Sequence, residues 1–343
     1  MLLSTSSFKA GSPRRWLTIA TVAACTCAAI IIFIEFKWRS LGYHPQLLDS
    51  PQLWSIQRSK ARAPNALVFA GASRTQFGID LDTVEDMVPS YQPVMLAING
   101  RYPIATLRSL ASDKHFNATV ILDIDSRGLQ NNNHSAQESY NSYFSNSWTP
   151  SWHLHRLLLS VWQKHATIAR PEMGAAATTI RLIDNAPKPF KFNSEIADDR
   201  SGLIHFTDTN TKNLARHFAQ ALALDLEKHP PPTPEKWIND IADVPQWVKA
   251  IEARGGKVVI YEPPVSGRQL SLADNSYPRR SYWDLLSARY SLTTVSFRDI
   301  QGMQSFQLPD ESHIAPQDKS EYTRLLITYL LESGLIEAEP IHK

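Results

Sequence analysis

Two short segments near opposite ends of the chain contain the residue types of a nucleophilic acyl-transfer site. One, GASR at 71–74, follows an apolar run, and the other, DESH at 310–313, precedes a helical pattern. A serine hydroxyl becomes a useful nucleophile only beside a base, usually a histidine, that a third group orients. Asp310 and His313 have the spacing of one helical turn, so both can lie on one side of it. The pattern predicts Ser73 as the nucleophile, His313 as general base and then acid, and Asp310 as its orienting partner.

The turn after a second apolar run supplies a predicted oxyanion hole. That run, 93–100, ends in Asn99-Gly100. We expect the backbone amides of Ser73 and Gly100 to face the developing negative charge, since a glycine leaves room for a substrate oxygen to approach. Four polar residues near these turns are predicted to support the substrate or the oxyanion. They are Arg74, Asn99, Asp125 and Arg127.

The elements that must bring these segments together alternate between strand and helix patterns. Apolar runs typical of buried strands lie at 66–71, 93–100, 118–125, 257–267 and 293–299, the fourth running into a proline-rich turn. Helical patterns lie at 81–88, 102–116, 235–256 and 277–290, and the segment 308–334 is predicted to be a loop followed by a final helix with Pro316 near its first turn. This alternation indicates a parallel sheet with helices on both faces, a three-layer α/β/α fold. The carboxyl ends of such strands meet at one edge, where ligands bind.

Residues 126–232 break the alternation. Their first part is polar, with scattered aromatic residues and no clear period, and helical patterns follow at 152–170 and 208–228. A structureless loop of this length would be unusual in a compact domain. The segment is therefore predicted to be a largely helical insertion into the α/β domain.

Charge and cysteine content exclude several classes of protein. The chain has 35 basic and 33 acidic residues, and five of the basic ones but only one acidic one lie in the first forty positions. The remainder is slightly acidic and has no basic field of the kind that binds nucleic acid. Cys25 and Cys27 both lie in an N-terminal apolar run, so the rest of the chain has no disulfide, cysteine zinc site or thiol nucleophile. Neither a cofactor nor a metal is predicted.

The N-terminal apolar run is long enough to cross a membrane. Residues 16–34 carry no charge, and about 20 apolar residues are needed to span a bilayer. The flanking charges favour a cytoplasmic N-terminus and an exported C-terminal part, at the inner membrane. The predicted divisions are a cytoplasmic N-terminus at 1–15, a transmembrane helix at 16–36, a juxtamembrane linker at 37–63, the α/β domain at 64–335 and a tail at 336–343. Cleavage after a small-residue site at Ala23-Ala24, or a lipoprotein-type cleavage before Cys25, is the alternative.

The chemical segments resemble those of the SGNH (GDSL-like) hydrolase superfamily. The Gly-Asp-Ser-type first block matches 71–73, the Asn-Gly turn matches 99–100, and the Asp-x-x-His block matches 310–313. The segment GGKVVIYEPPVSGR also resembles membrane-anchored members associated with polysaccharide O-acetylation. The resemblance implies a flavodoxin-like sheet and a serine esterase or O-acetyltransferase. It implies acylated saccharide or cell-envelope glycan as substrate, and a membrane-bound acyltransferase as partner.

Two positions depart from that family pattern. Ala72 stands where the first block has aspartate, at a position that varies. The third block normally offers an asparagine side chain to the oxyanion, whereas the third strand here ends LDIDSRGL without one. An ionised aspartate cannot donate a hydrogen bond, and losing one such donor costs about 10²–10³ in rate. The site is then slow, uses Arg74 or Arg127, or depends on a partner, and a non-catalytic tethered protein that binds glycan or an acyltransferase is the competing hypothesis.

Several residues also fit other roles. The Asp-x-Asp of residues 123–125 resembles the start of a haloacid-dehalogenase phosphatase motif, which would use magnesium, but its further acidic pair and lysine are not evident. WHLH at 152–155 could hold a metal, although residues two apart do not share a helix face. Arg74 can instead pair with Asp80 or Asp82. The insertion's aromatic residues suit either a carbohydrate surface or a small core; they are Tyr140, Tyr143, Phe144, Trp148 and Trp152.

Overall fold

The computed structural model describes residues 13–184, 187–188, 193–207 and 209–338. The helices in these ranges are α1 (Pro13–Ser40), α2 (Pro51–Lys60), α3 (Ser73–Gly78), α4 (Leu81–Met87), α5 (Ile104–Ser112), α6 (Glu138–Asn146), α7 (Pro150–His165), α8 (Ala175–Asp184), α9 (Thr211–Lys228), α10 (Pro234–Asp240), α11 (Asp243–Glu252), α12 (Gly267–Ser276), α13 (Trp283–Tyr290) and α14 (Lys319–Glu332). The strands are β1 (Ala66–Ala70), β2 (Gln92–Met95), β3 (Thr119–Asp123), β4 (Ser194–Ile196), β5 (Gly202–Ile204), β6 (Lys257–Glu262) and β7 (Thr294–Ser296). The chain divides into two compact units, one formed by residues 1–48 with 158–191 and the other by 49–157 with 192–343.

The larger unit is built on a five-stranded parallel sheet in the order β2-β1-β3-β6-β7. Renumbered along the sheet's own strands, this is the 2-1-3-4-5 order of flavodoxin-like folds. The order reverses between β1 and β3, and ligands of such sheets bind outside the carboxyl ends of the strands at that point. The predicted three-layer α/β fold with a helical insertion is confirmed. β4 and β5 add a separate antiparallel pair within the insertion.

Alternate residues of each strand pack into different cores, which explains the uninterrupted apolar runs. Leu67 and Phe69 of β1 join the core that α4 and α14 cover, whereas Val68 and Ala70 join the core beneath α5, α10, α11 and α13. All five β1 residues are buried. Strands covered on both faces read as continuous hydrophobic sequence rather than as an alternation, because neither face meets water.

The helices differ from the sequence prediction in three regions of the chain. The expected linker at 37–63 contains α2, whose Trp54 is buried in the sheet's core and donates its indole N–H to the Leu96 carbonyl at 3.0 Å. The single helix expected at 235–256 is two helices, α10 and α11, because Pro245 in the first turn of α11 cannot donate the amide hydrogen bond that would join them. The proline-rich turn after β6 leads directly into α12, a helix that was not predicted.

The insertion's aromatic residues do not form a separate core. Tyr140 and Phe144 of α6 pack edge-on against Trp54, with ring centroids 6.1 and 6.3 Å away. Trp152 is 43% exposed. Two of the five predicted aromatic residues therefore extend the core of the α/β unit.

The smaller unit contains α1, the helix that is long and apolar enough, among the described residues, to cross a membrane. This helix covers the whole predicted span at 16–36. Near its C-terminal end, the Trp38 indole donates to the Met173 carbonyl and the Thr178 hydroxyl, both at 3.1 Å. Trp38 and Tyr43 meet edge to face, with centroids 5.3 Å apart. The end of α1 is thereby packed against the segment that leads into α8.

Candidate active site

Ser73 begins the short helix α3 immediately beyond the end of β1. The turn between them needs a glycine, because a Cβ on Gly71 would lie 2.6 Å from the Thr75 hydroxyl and 2.8 Å from the Asp123 Cβ. No real side chain fits at those distances, so Gly71 lets the two strand ends approach each other. Glycine is therefore required at position 71 by the close packing of β1 against β3.

His313 joins Ser73 and Asp310 in one line of hydrogen bonds. Its ring Nε2 lies 2.9 Å from the Ser73 Oγ, and its Nδ1 lies 2.7 Å from one Asp310 carboxylate oxygen. The other carboxylate oxygen of Asp310 accepts the backbone amides of Ser312 and His313, at 3.0 and 2.8 Å. Asp310 and His313 are buried, whereas Ser73 is partly exposed. The structure brings together the three residues named from the sequence, although 240 positions separate Ser73 from His313.

The charge state of Asp310 fixes the direction of these hydrogen bonds. Burial on its own would raise the pKa of this carboxyl, but the His313 ring and the two amides that donate to it hold the pKa below its usual value. An ionised carboxylate only accepts hydrogen bonds, so the proton of the neutral imidazole lies on Nδ1. Nε2 then presents its lone pair to the Ser73 hydroxyl, which is the arrangement that proton abstraction requires.

Gly100 reaches the same cavity as Ser73 through a left-handed turn. Its φ is +72°, a conformation that favours glycine, and no protein atom lies within 4 Å of where a Cβ would be. The requirement for glycine therefore comes from the backbone conformation and not from crowding by neighbouring protein atoms. In the part of the chain that the structure describes, neither the Ser73 nor the Gly100 amide donates to a protein acceptor. Asn99 is exposed and is not among the residues that line the cavity.

Asp125 occupies the third turn, beyond β3, as an acceptor and not a donor. One of its oxygens accepts the Gly128 amide at 2.7 Å, and the other lies 3.0 Å from an Arg74 guanidinium nitrogen. Burial favours a higher pKa for Asp125, but Arg74 and Arg127 outweigh it and the pKa is lowered. The expected partners of Arg74, Asp80 or Asp82, are wrong, because α3 directs this side chain across the sheet edge toward β3.

Asp123, at the end of β3, has the opposite electrostatic character. Its buried carboxylate accepts the Thr75 hydroxyl at 2.5 Å and lies 3.9 Å from Arg74. Burial raises its pKa to about 6, in spite of the opposing effects of Arg74 and Thr75. Two carboxyls that are two residues apart therefore titrate in different ranges, as happens where acid and base roles are divided. Asp123 contacts the Ser73 helix from beneath, whereas Asp125 lines the cavity itself.

The cavity beside Ser73 encloses about 230 Å³ and is lined by both apolar and charged side chains. The apolar lining comes from α9, α12 and the loop before α12, and includes Leu222, Leu226, Val265, Leu270 and Ala273. The polar lining includes Arg74, Tyr102, Asp125, Arg127, Glu262 and Arg298. Arg127 donates to the Tyr102 hydroxyl and to Asp225 of α9, at 2.5 and 2.6 Å. A helix of the insertion thus completes the cavity.

Several residues that shape the site were not predicted from the sequence. Phe77 and Phe218 flank the His313 ring, with centroids 6.3 and 5.9 Å away. Gln137, fully buried, donates to the carbonyls of Gly71 and Arg101 and so links the turns that precede Ser73 and follow Gly100. Gln137 and Phe218 lie in the irregular insertion, where no periodicity or motif distinguishes them. The helical pattern at 208–228 was the one available signal for α9.

Neither alternative metal site, at residues 123–125 or 152–155, has a cluster of ligand side chains among the described residues. Among the described residues, no group of three or more His, Cys, Asp or Glu side chains is placed to hold a metal ion. His153 stacks on Trp148 with centroids 5.5 Å apart, and His155 meets the edge of Trp152 at 5.2 Å. These histidines are therefore engaged with aromatic rings in α7 and just before it.

Comparisons with known proteins add little to this geometry. No protein-family model matches the chain, and no curated protein is similar to it in sequence. Among solved structures, the chain is similar to TesA, with 12% identity and a TM-score of 0.35, over 78% of this chain and 98% of TesA. Similarity at that level says nothing about activity. The class that the fold and site define is an α/β/α protein of flavodoxin-like strand order with a Ser-His-Asp hydrogen-bonded set at the carboxyl edge of its sheet.

Proposed function

We propose that this protein is a membrane-anchored, SGNH-like serine esterase or O-acetyltransferase. The observation that carries the proposal is the unbroken line from Ser73 Oγ through the His313 ring to Asp310, with heavy-atom distances of 2.9 and 2.7 Å. These distances lie within the range needed for a base to activate a serine. Ser73 lines a cavity that Gly100 also lines, and the backbone amides of both residues have no protein acceptor among the described residues. This combination supports acyl transfer through a covalent intermediate.

The proposed first half-reaction is attack by Ser73 on an ester carbonyl. Its Oγ forms a bond to the carbonyl carbon while His313 Nε2 takes the hydroxyl proton. Asp310 stabilises the resulting imidazolium, and the amides of Ser73 and Gly100 stabilise the oxyanion. Collapse of the tetrahedral intermediate breaks the bond to the alcohol oxygen, which leaves with the proton from His313. An acyl-Ser73 ester remains.

The second half-reaction restores the serine. Water or a sugar hydroxyl gives its proton to His313 and attacks the acyl carbon, and the Ser73 oxygen leaves and regains a proton. Water as acceptor makes the protein an esterase, and a sugar hydroxyl makes it an O-acetyltransferase. In either case the third oxyanion donor comes from Arg74, because Asp125 is an ionised acceptor beside it.

The side chains that line the cavity support the substrate class that the family resemblance implies. The aliphatic ones suit a short acyl group or the apolar face of a sugar ring, and the charged ones offer donors and acceptors for hydroxyls. We therefore propose an O-acylated saccharide or a cell-envelope glycan as substrate. A membrane-bound acyltransferase that supplies the acyl group is the proposed partner of the transferase form.

The proposed location is the inner membrane, with the catalytic unit exported. α1 is long and apolar enough to span, and Arg14 and Arg15 precede its apolar stretch. Beyond that stretch, Glu35 offsets part of the charge of Lys37 and Arg39. This asymmetry favours a cytoplasmic N-terminus.

The test is a burst experiment with the full chain in detergent. The purified protein is mixed with an activated acetyl ester, and we expect a rapid release of alcohol equal to the concentration of Ser73, together with an acetyl group on the peptide that contains it. Ser73→Ala should abolish both, whereas Ser287→Ala, at an exposed serine of α13, should leave both unchanged. A burst of equal size in the Ser73→Ala protein would refute the proposal.

A non-catalytic tethered protein is the second candidate, and the nature of Asp125 favours it. An ionised acceptor stands where a neutral oxyanion donor is expected, and such a loss costs about 10²–10³ in rate. In this case the cavity binds glycan or the chain binds an acyltransferase without turnover. Full acetylation by the assembled system with both Ser73→Ala and His313→Ala in place would support this alternative over the enzyme.

A further inference from the structure

Helix α7 has its polar and apolar faces in the reverse of the usual arrangement. Arg156, Ser160 and Gln163, at the spacing i, i+4 and i+7, are buried, with 2–5% of their surface exposed. Five apolar residues at helical spacing form the exposed face, each 47–64% exposed. They are Leu154, Leu157, Leu158, Val161 and Trp162. A surface helix normally turns its apolar stripe inward, so this stripe calls for an apolar partner.

Helix α8, which lies in the smaller unit together with the second half of α7, repeats the feature. Ile180, Leu182 and Ile183 are 58–74% exposed. On its inner side Thr178 is buried and accepts the Trp38 indole N–H of α1 at 3.1 Å. We call the exposed apolar residues that α7 and α8 contribute to the smaller unit the apolar foot. It comprises Leu158, Val161, Trp162, Ile180, Leu182 and Ile183.

The segment that joins α7 to α8 is attached to one end of the candidate membrane helix. The Glu35 carboxylate accepts the backbone amides of Thr167 and Ile168, both at 3.0 Å. Arg39 donates to the His165 carbonyl, the last residue of α7, at 2.8 Å. These contacts, with those of Trp38, hold the end of α7 and the start of α8 at the C-terminal end of α1. That end is where the chain leaves the bilayer if α1 spans it.

We propose that the apolar foot lies in the interfacial layer of the phospholipid bilayer where α1 exits. The proposal rests on the membrane-spanning role given to α1 above. A helix with an aliphatic and tryptophan face lies in the membrane plane with that face among the acyl chains, and tryptophan favours the headgroup level. The lipid is the chosen occupant because Glu35, Trp38 and Arg39 attach the segment between α7 and α8 to the end of α1, and because the apolar surface of α1 is itself exposed. The smaller unit then sits on the membrane, and α1 is not its sole contact with lipid.

The test places single reporters on the full chain in phosphatidylcholine–phosphatidylglycerol nanodiscs. In a background with Cys25→Ser and Cys27→Ser, a fluorophore is attached at Leu158→Cys, Val161→Cys or Ile183→Cys, one at a time. Quenching by doxyl groups on the lipid acyl chains is compared with quenching by aqueous iodide. We expect several-fold stronger lipid quenching than iodide quenching at all three positions.

Matched controls test whether lipid quenching is specific to the apolar foot or common to all exposed residues. Leu224→Cys replaces a 66% exposed leucine of α9 outside the foot, and Ser287→Cys replaces an exposed polar residue. Both should be quenched by iodide and not by lipid. A chain that keeps only Cys27, within α1, reports on the anchor and should be quenched by lipid.

The possible results distinguish water, protein and lipid as the environment of the apolar foot. Iodide quenching at the foot equal to that of Ser287→Cys would mean that the stripe faces water and would overturn the proposal. Shielding from both quenchers would mean that a protein covers it, which also overturns the lipid assignment. Lipid quenching at Cys27 without lipid quenching at the foot would leave the anchor intact and remove only the interfacial placement. Absence of lipid quenching at Cys27 would instead overturn the anchor.

Discussion

Glu311, between Asp310 and His313, is predicted to position His313, the proposed general base, through helix α12. Its carboxylate accepts the backbone amides of Arg268 and Gln269 at 2.9 and 3.3 Å, in the first turn of that helix. Its backbone has a left-handed φ of +66°, which is uncommon for a residue with a side chain. Glu311 therefore combines an unfavourable backbone conformation with a side chain that caps α12. Residues of α12 in turn line the cavity.

The stability effects of three substitutions at Glu311 follow from these two contributions. The left-handed conformation costs a non-glycine residue roughly 1–2 kcal/mol, and loss of a helix cap costs about 0.5–2 kcal/mol. Glu311→Gly removes both, so its free energy of unfolding should stay within about 1 kcal/mol of the wild type. Glu311→Ala keeps the strain and loses the cap, and should be about 1 kcal/mol less stable. Glu311→Gln keeps an acceptor and should lose a few tenths of a kcal/mol from the helix dipole.

The assay pairs urea denaturation with steady-state ester hydrolysis. Glu311→Gly should fold as stably as the wild type and yet lose about tenfold in kcat, with KM little changed, because the released loop no longer holds His313 against Ser73. Glu311→Gln should retain most of the turnover. A Glu311→Gly protein with wild-type kcat would refute the positioning role, and equal stability of the Ala and Gly variants would refute the strain argument.

Three further predictions concern residues around the same loops. Asp310→Asn should lower kcat by about 10⁴ with little change in melting temperature, as replacement of a triad aspartate does elsewhere, and wild-type turnover would contradict the orienting role. Gly71→Ala should destabilise the fold by about 1–3 kcal/mol in denaturant titrations, through the clash with Thr75, and unchanged stability would show that the turn can relax. Asp123 binds its proton more tightly when folded, with a pKa of about 6 against 3.8, so its contribution to stability should fall by up to about 3 kcal/mol as the pH rises from about 4 to 6. Asp123→Asn should remove that slope from the unfolding free energy, and an identical pH dependence in the variant would contradict the raised pKa.

Local sequence signals were sufficient for the sheet and for the residues that end its strands. Apolar runs such as VILD at 120–123 identify buried strands, and the parallel arrangement then brings their carboxyl ends to one edge. The spacing of Asp310 and His313 needs only one turn of backbone. These features depend on short stretches of chain, which is why the sequence was informative about them.

Features that depend on distant contacts could not be predicted. α12 could not be predicted because Gly267, with a φ of +56°, and the two prolines before it are typical of a turn. The cap that starts the helix comes from Glu311, more than forty residues away. α2 could not be predicted because its buried face includes Ser55, Gln57 and Arg58, so its sequence has no continuous apolar stripe at helical spacing. In both helices tertiary contacts override local propensity.

The electrostatics of the third turn determine how the proposed acyl-transfer site would stabilise an oxyanion without an asparagine donor. Arg127 is paired with Asp225 and Arg298 with Asp274, whereas Arg74 forms one group with Asp123 and Asp125. Above pH 6 both aspartates are ionised and this group carries one negative charge, which opposes an oxyanion. As the pH falls through about 6, Asp123 binds a proton, and the group becomes neutral. Arg74 can then act as a donor with less opposition, so the cost of replacing the asparagine depends on pH, which a fixed neutral amide would not allow.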